Sequence, residues 1–135
     1  MTGISRALVH VVIVMMQAIT ITAWAQSGGD PQKGRLIVAS RQQGLCLLCH
    51  SAPIPEERFQ GNLAPNLAQV VKGKSADELK QALIDPSINH PGTIMPAYYK
   101  INHTQLVAKN FQEKTLLSMQ QIDDVVAYLI TLQKP

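Results

Sequence analysis

The chain has 135 residues, with 12 Lys and Arg against 9 Asp and Glu and a formal charge of +3. That length accommodates one domain. Its eight lysines, Lys72, Lys74, Lys80, Lys100, Lys109 and Lys114 among them, are scattered rather than gathered in a stripe, which argues against a nucleic-acid ligand. Aromatic residues make up only 4% of the chain and the single Trp is at position 24, so a compact domain here needs another large apolar group in its core.

Residues 1–25 have the pattern of a secretory signal peptide. Arg6 is the only Lys, Arg, Asp or Glu before Asp30. An apolar run covers residues 7–16 and continues more weakly through 18–22. Ala23-Trp24-Ala25 is an A-x-A cleavage site before Gln26. A retained anchor is the alternative, because residues 7–25 come near the minimum spanning length of about 17–20 residues. The small residues where the peptidase needs them favour cleavage. Export places the mature chain in the periplasm, with no stable membrane insertion after cleavage. Residues 26–31 then read as a Gly-rich linker and residues 32–135 as the one domain.

A first helix is expected over residues 32–43, with Leu36, Ile37 and Ala39 as its apolar positions and an end near Gly44. Directly after it comes Cys46-Leu47-Leu48-Cys49-His50. This is C-x-x-C-H, the attachment signature of c-type haem. Two cysteines three apart on one turn can each form a thioether with a haem vinyl group. The next residue, His50, then lies under the iron and supplies the proximal imidazole. The chain's only two cysteines are both in the motif. A redox disulfide would want a thioredoxin-like βαβ context, which this stretch lacks. A zinc site would want four ligands, and no second C-x-x-C or H-x-x-x-H is present.

Residues 51–70 carry Pro53, Pro55, Gly61 and Pro65 and are expected to wrap as a loop. Ser75-Ala76-Asp77-Glu78 is a capping box that opens a helix to about Ile84, where Asp85-Pro86 stops it. A second irregular loop follows over residues 86–103. Ser118-Met119-Gln120-Gln121 is another capping box. It opens the clearest helix, about 119–133, where Ile122, Val125, Val126, Leu129 and Ile130 form one apolar stripe. Asp123 and Asp124 are expected in its first turn, where the helix dipole favours acids. There are no repeats and no convincing strand.

A six-coordinate haem needs a second axial ligand, and Met95 is the best candidate. Flanking prolines in Pro91-Gly92-Thr93-Ile94-Met95-Pro96 restrict the backbone around it. Thioether ligation raises the reduction potential relative to a second imidazole and disfavours open-site chemistry. The rivals are His90, His103 and Met119; Met1, Met15 and Met16 leave with the signal peptide. The expected fold is therefore all-α and class I cytochrome c-like. Three or four helices surround one covalent haem c, and the first and last helices cross. Pro65 is expected to place a backbone carbonyl that orients His50. Loss of Arg6 takes the charge to +2, and two haem propionates would bring it near zero.

Four stretches together resemble the SoxX family of monohaem cytochromes: Cys46 to His50, Gly61-Asn62-Leu63-Ala64-Pro65-Asn66-Leu67, Gly92-Thr93-Ile94-Met95-Pro96-Ala97-Tyr98-Tyr99, and Ile122 to Leu129. The first and last are generic to cytochromes c; Met-Pro-Ala-Tyr-Tyr is the more diagnostic. Ala64 stands where the family commonly has Gly, and Gln69-Val70-Val71-Lys72 replaces a Gly-containing turn. The resemblance implies a subunit of the SoxAX complex, which couples thiosulfate to a cysteine of the carrier SoxYZ. It implies a non-catalytic electron-transfer role within that L-cysteine S-thiosulfotransferase, with the bond-forming haem on a dihaem or monohaem SoxA partner and a soluble cytochrome downstream. A free-standing monohaem electron carrier is the alternative. A peroxidatic enzyme is a third reading and requires Met95 to be off the iron.

Overall fold

The computed structural model describes residues 28–101, 109 and 112–134. The signal-peptide reading of residues 1–25, the start of the linker and His103 lie outside the described residues.

Helix α1 is Pro31–Ala39. Asp30 caps it by accepting hydrogen bonds from the Gln32 and Lys33 amides, and Pro31 occupies the first turn, where no partner for its nitrogen is needed. The helix ends four residues earlier than its composition suggests. Ser40 turns extended, and its Oγ accepts from the Gln42 and Gln43 amides at 3.2 and 3.1 Å. Serine thus offers the backbone a local turn in place of another helical turn. A 3₁₀ turn follows at Cys46–Leu48.

The stretch expected to be all loop contains one short helix, α2, Leu67–Val70. Asn66 makes it possible. Its Oδ1 caps the Ala68 amide at 2.9 Å while its Nδ2 donates to Ser51 Oγ at 2.9 Å. Helix α3, Ala76–Ile84, begins with the expected capping box. Ser75 Oγ accepts from the Glu78 amide and Glu78 Oε2 accepts from the Ser75 amide. A 3₁₀ turn, Pro86–Ile88, follows Asp85. Helix α4, Met119–Thr131, also opens with a capping box, formed by Ser118 and Gln121. No strand occurs among the described residues.

Helices α1 and α4 make the largest helix–helix contact, with α3 packed on α4. Gly34 is what lets them cross. A Cβ built on it would lie 1.9 Å from the Asp124 carbonyl oxygen, so any side chain there would push the helices apart. Asp124 adds a polar link, accepting from the Asp30 amide at 2.8 Å and from Gln120 Nε2 at 3.0 Å. Around the crossing, Val38, Ile54, Val71, Leu117, Ile122 and Val125 are fully buried. Each such side chain contributes about 1.5–3 kcal/mol of transfer free energy.

The α4 stripe is as expected, with Ile122, Val125, Val126 and Leu129 buried and Ile130 half-buried. The placement of its acids is not. With Ser118 as the cap, Met119 is the first helical residue, and no acid lies in the first turn. Asp123 instead pairs with Lys80 at 2.6 Å across to α3, and Asp124 is buried at the α1 crossing. Their partners, not the helix dipole, account for them. The architecture is all-α and class I cytochrome c-like.

Candidate haem-binding site

Leu45 delivers the chain into the motif through a left-handed backbone, φ 56° and ψ 7°. That conformation costs an ordinary residue about 1–2 kcal/mol, and the Leu45 amide is held there by the Ser40 carbonyl at 3.0 Å. The Cys49 and His50 amides both point back to the Cys46 carbonyl, at 3.2 and 2.9 Å. One tight turn therefore holds Cys46, Cys49 and His50 together. The two sulfurs are not joined to each other; they stand where a c-type cytochrome has thioether sulfurs.

Residues 61–67 lie along this turn. The Gly61, Ala64 and Leu67 amides donate to the carbonyls of Leu47, Cys49 and Ser51 at 2.8, 2.9 and 2.8 Å. Gly61 has to be glycine for so close an approach, because a Cβ there would meet the Leu48 carbonyl oxygen at 2.2 Å. Ala64 is accommodated with its amide on Cys49. The turn after α2 uses Gly73, at φ 73°, so the glycine absent from residues 69–72 is supplied one position later. Arg35 pairs with Glu56, and Arg41 donates to the Phe59 carbonyl, tying the proline-rich part of the loop back to α1 and the turn after it.

The result at His50 is specific. Its Nδ1 lies 2.6 Å from the Pro65 carbonyl oxygen. A carbonyl can only accept, so Nδ1 carries a proton, and in the neutral ring Nε2 keeps its lone pair. A ring fixed in that tautomer and orientation is what an axial imidazole ligand requires.

Met95 is half-buried and packs against the apolar core. Its amide donates to Thr93 Oγ1 at 3.2 Å, after a turn at Gly92 with φ 84°. Of its rivals, His90 is exposed and Met119 is half-buried at the first position of α4. No group of three or more His, Cys, Asp or Glu side chains capable of holding a metal ion occurs among the described residues, so the zinc alternative gains no further ligands. The donor set Cys46, Cys49, His50 and Met95 fits a haem c. Leu48, Leu63 and Ile94 add exposed apolar side chains on the three segments that carry or flank it.

Two features of the Met95 loop were not evident from residue types. Lys100 closes its base on Asp85 at 2.8 Å. Tyr98 is buried while its neighbour Tyr99 is exposed. The Tyr98 hydroxyl donates to the Gly44 carbonyl at 2.6 Å and lies 3.9 Å from Cys46 Sγ. Burial raises its pKa further above the ordinary tyrosine value, so the hydroxyl stays a donor. Two adjacent tyrosines look alike in sequence; only the tertiary packing selects the inner one.

No protein-family model matches the chain, and no curated protein matches it. A solved structure does. SoxXA from P. pantotrophus shares 30% identity over 81% of this chain and 85% of its own, with a TM-score of 0.70. The chain belongs to the SoxX family. A SoxX-family chain is a cytochrome, and the sequence resemblance and the three-dimensional likeness agree on it. No helix among the described residues is long and apolar enough to cross a membrane.

Proposed function

We propose that this SoxX-family chain is the electron-relay subunit of a periplasmic SoxAX complex in thiosulfate oxidation. One covalent haem c is attached at Cys46 and Cys49, with His50 proximal and Met95 distal. Residues 1–25 are removed as a signal peptide, residues 26–31 form the linker, and residues 32–135 form the cytochrome domain. The observation that carries this reading is the His50 Nδ1 hydrogen bond to the Pro65 carbonyl at 2.6 Å, which leaves Nε2 as the free ligand atom.

When bound, the haem supplies a reversible one-electron couple. The chain's residues set its conditions. His50 is held in one tautomer by Pro65, and the segment around Pro65 is held by its three amide contacts to residues 47–51. Met95 would be the second residue to hold the haem, and its thioether would keep substrate and water from the metal. The chemistry of the complex joins a thiosulfate sulfur to a SoxYZ cysteine. An S–S bond forms, the S–H bond breaks, and one proton and two electrons leave. The bond-forming step belongs to the SoxA partner, and this chain passes the electrons singly to a soluble cytochrome. The likeness to SoxXA supports a subunit of a complex over a free-standing carrier.

The test uses purified, haem-loaded protein. The pyridine haemochrome spectrum is expected to be of c type, and Met95→Ala is expected to open the iron to cyanide. A b-type spectrum, or an unchanged spectrum and cyanide rate in Met95→Ala, overturns the ligand assignment. Purification without a larger haem partner, together with thiosulfate turnover indifferent to Met95→Ala, moves the free-carrier reading ahead.

A further inference from the structure

Met95 sits on a loop between the end of α3 and the start of α4. Such a loop can hold its methionine near an iron only if something fixes it relative to the Cys46–His50 turn. Tyr98, three residues further on, is placed to do this. Its amide donates to the Leu83 carbonyl at 2.9 Å, which ties it to α3. Its carbonyl accepts from the Leu117 amide at 3.0 Å, which ties it to the approach to α4. Its hydroxyl reaches the Gly44 carbonyl at 2.6 Å, two residues before Cys46. Gly44 cannot yield easily, because a Cβ there would meet the Ile37 carbonyl oxygen at 2.2 Å, so its backbone is pressed against α1. Only 3% of Tyr98 is exposed, which shields the bond from competing water.

From these contacts we infer that the Tyr98 hydroxyl is a positioning group for Met95. It locks the distal-ligand loop to the segment that attaches the haem, and so sets how often Met95 releases its axial position. Pro96 transmits the constraint, because its fixed φ stiffens the link between Met95 and Tyr98. The inference rests on the proposed His50 and Met95 ligation.

Tyr98→Phe removes only the hydroxyl and keeps the ring in the core. In the haem-loaded ferric protein, loss of one buried hydrogen bond should raise the cyanide association rate about five- to tenfold. Pro96→Ala should raise it as well, and the double variant should show less than the product of the two effects. Ile122→Val, a buried core change on α4, should lower the thermal midpoint but leave the cyanide rate at the parent value. An unchanged rate in Tyr98→Phe overturns the inference, whatever happens to the melting temperature. If Tyr98→Phe fails to load haem, an unchanged rate in Pro96→Ala overturns it equally. Met95→Ala separates the two levels. A raised cyanide rate there with none in Tyr98→Phe refutes only the positioning role; no rise in Met95→Ala refutes the ligand assignment beneath it.

Discussion

Single side chains in this protein act through which of their polar atoms are committed to a partner. His50 gives Nδ1 to Pro65 and keeps Nε2. Asp85 commits both oxygens of its carboxylate. Oδ1 accepts from the Ser87 amide and hydroxyl, and Oδ2 accepts from Lys100. The Lys100 ammonium and the Ser87 hydroxyl hold the Asp85 carboxyl below its ordinary pKa. A carboxyl with a depressed folded pKa adds stability that is fully present above its unfolded pKa, about 3.9, and is lost as pH falls through the folded value. Asp85→Asn should therefore unfold at lower urea than the parent at neutral pH. The gap should close as pH drops below the unfolded carboxylate range. A gap of constant size across that range would show that the charge is not responsible. For Met95, replacement by His should keep a six-coordinate low-spin spectrum and lower the reduction potential in a redox titration, because a second imidazole favours the ferric state relative to a thioether. Thiosulfate turnover with the SoxA and SoxYZ partners should slow while the complex still assembles.

At the scale of elements, the α1–α4 crossing is decided by backbone proximity more than by side-chain volume. Gly34→Ala places a methyl 1.9 Å from the Asp124 carbonyl oxygen. The helices cannot absorb that without separating, and the cost should reach about 3 kcal/mol or more in urea unfolding. Separation should also break the Asp124 link to the Asp30 amide. An equal substitution at Gly28, where a Cβ meets nothing within 4 Å, should leave the unfolding midpoint within experimental scatter. A small effect at Gly34 would mean that the crossing is looser than its geometry indicates.

The whole molecule is a small set of short helices joined by long irregular segments. A domain of this size buries only about 60–70% of its unfolded surface. Two loops, residues 51–66 and 85–101, carry Pro65 and Met95 of the proposed site. Leu48, Leu63 and Ile94 remain exposed on or beside them. A large apolar group that these segments can pack on would supply the missing core. Replacing Cys46 and Cys49 with Ala should therefore give a chain with little helical circular dichroism near neutral pH and no cooperative melt. A fully helical, cooperative variant would show that the helices close on themselves without haem.

The amino-acid sequence by itself determined the starts of α3 and α4 and the family. Ser75–Glu78 and Ser118–Gln121 are local devices whose partners lie three residues away, so spacing alone predicts them. The Cys46, Cys49 and His50 constellation is equally local, and its one-turn geometry follows from the spacing. Pro65 was legible as the source of the carbonyl beside His50 only because the cytochrome c fold pattern was. The tertiary structure decided what local patterns cannot encode. The short helix α2 depends on Asn66 meeting Ser51. The role of Gly34 arises from backbones brought together across 90 residues, and those of Gly61 and Gly44 from closer returns of the chain. The choice of Tyr98 over Tyr99, and the pairing of Asp123 with Lys80 in place of a dipole role, follow from which face of each segment the core covers. Those contacts are set by long-range packing, whose energy no single stretch of sequence contains.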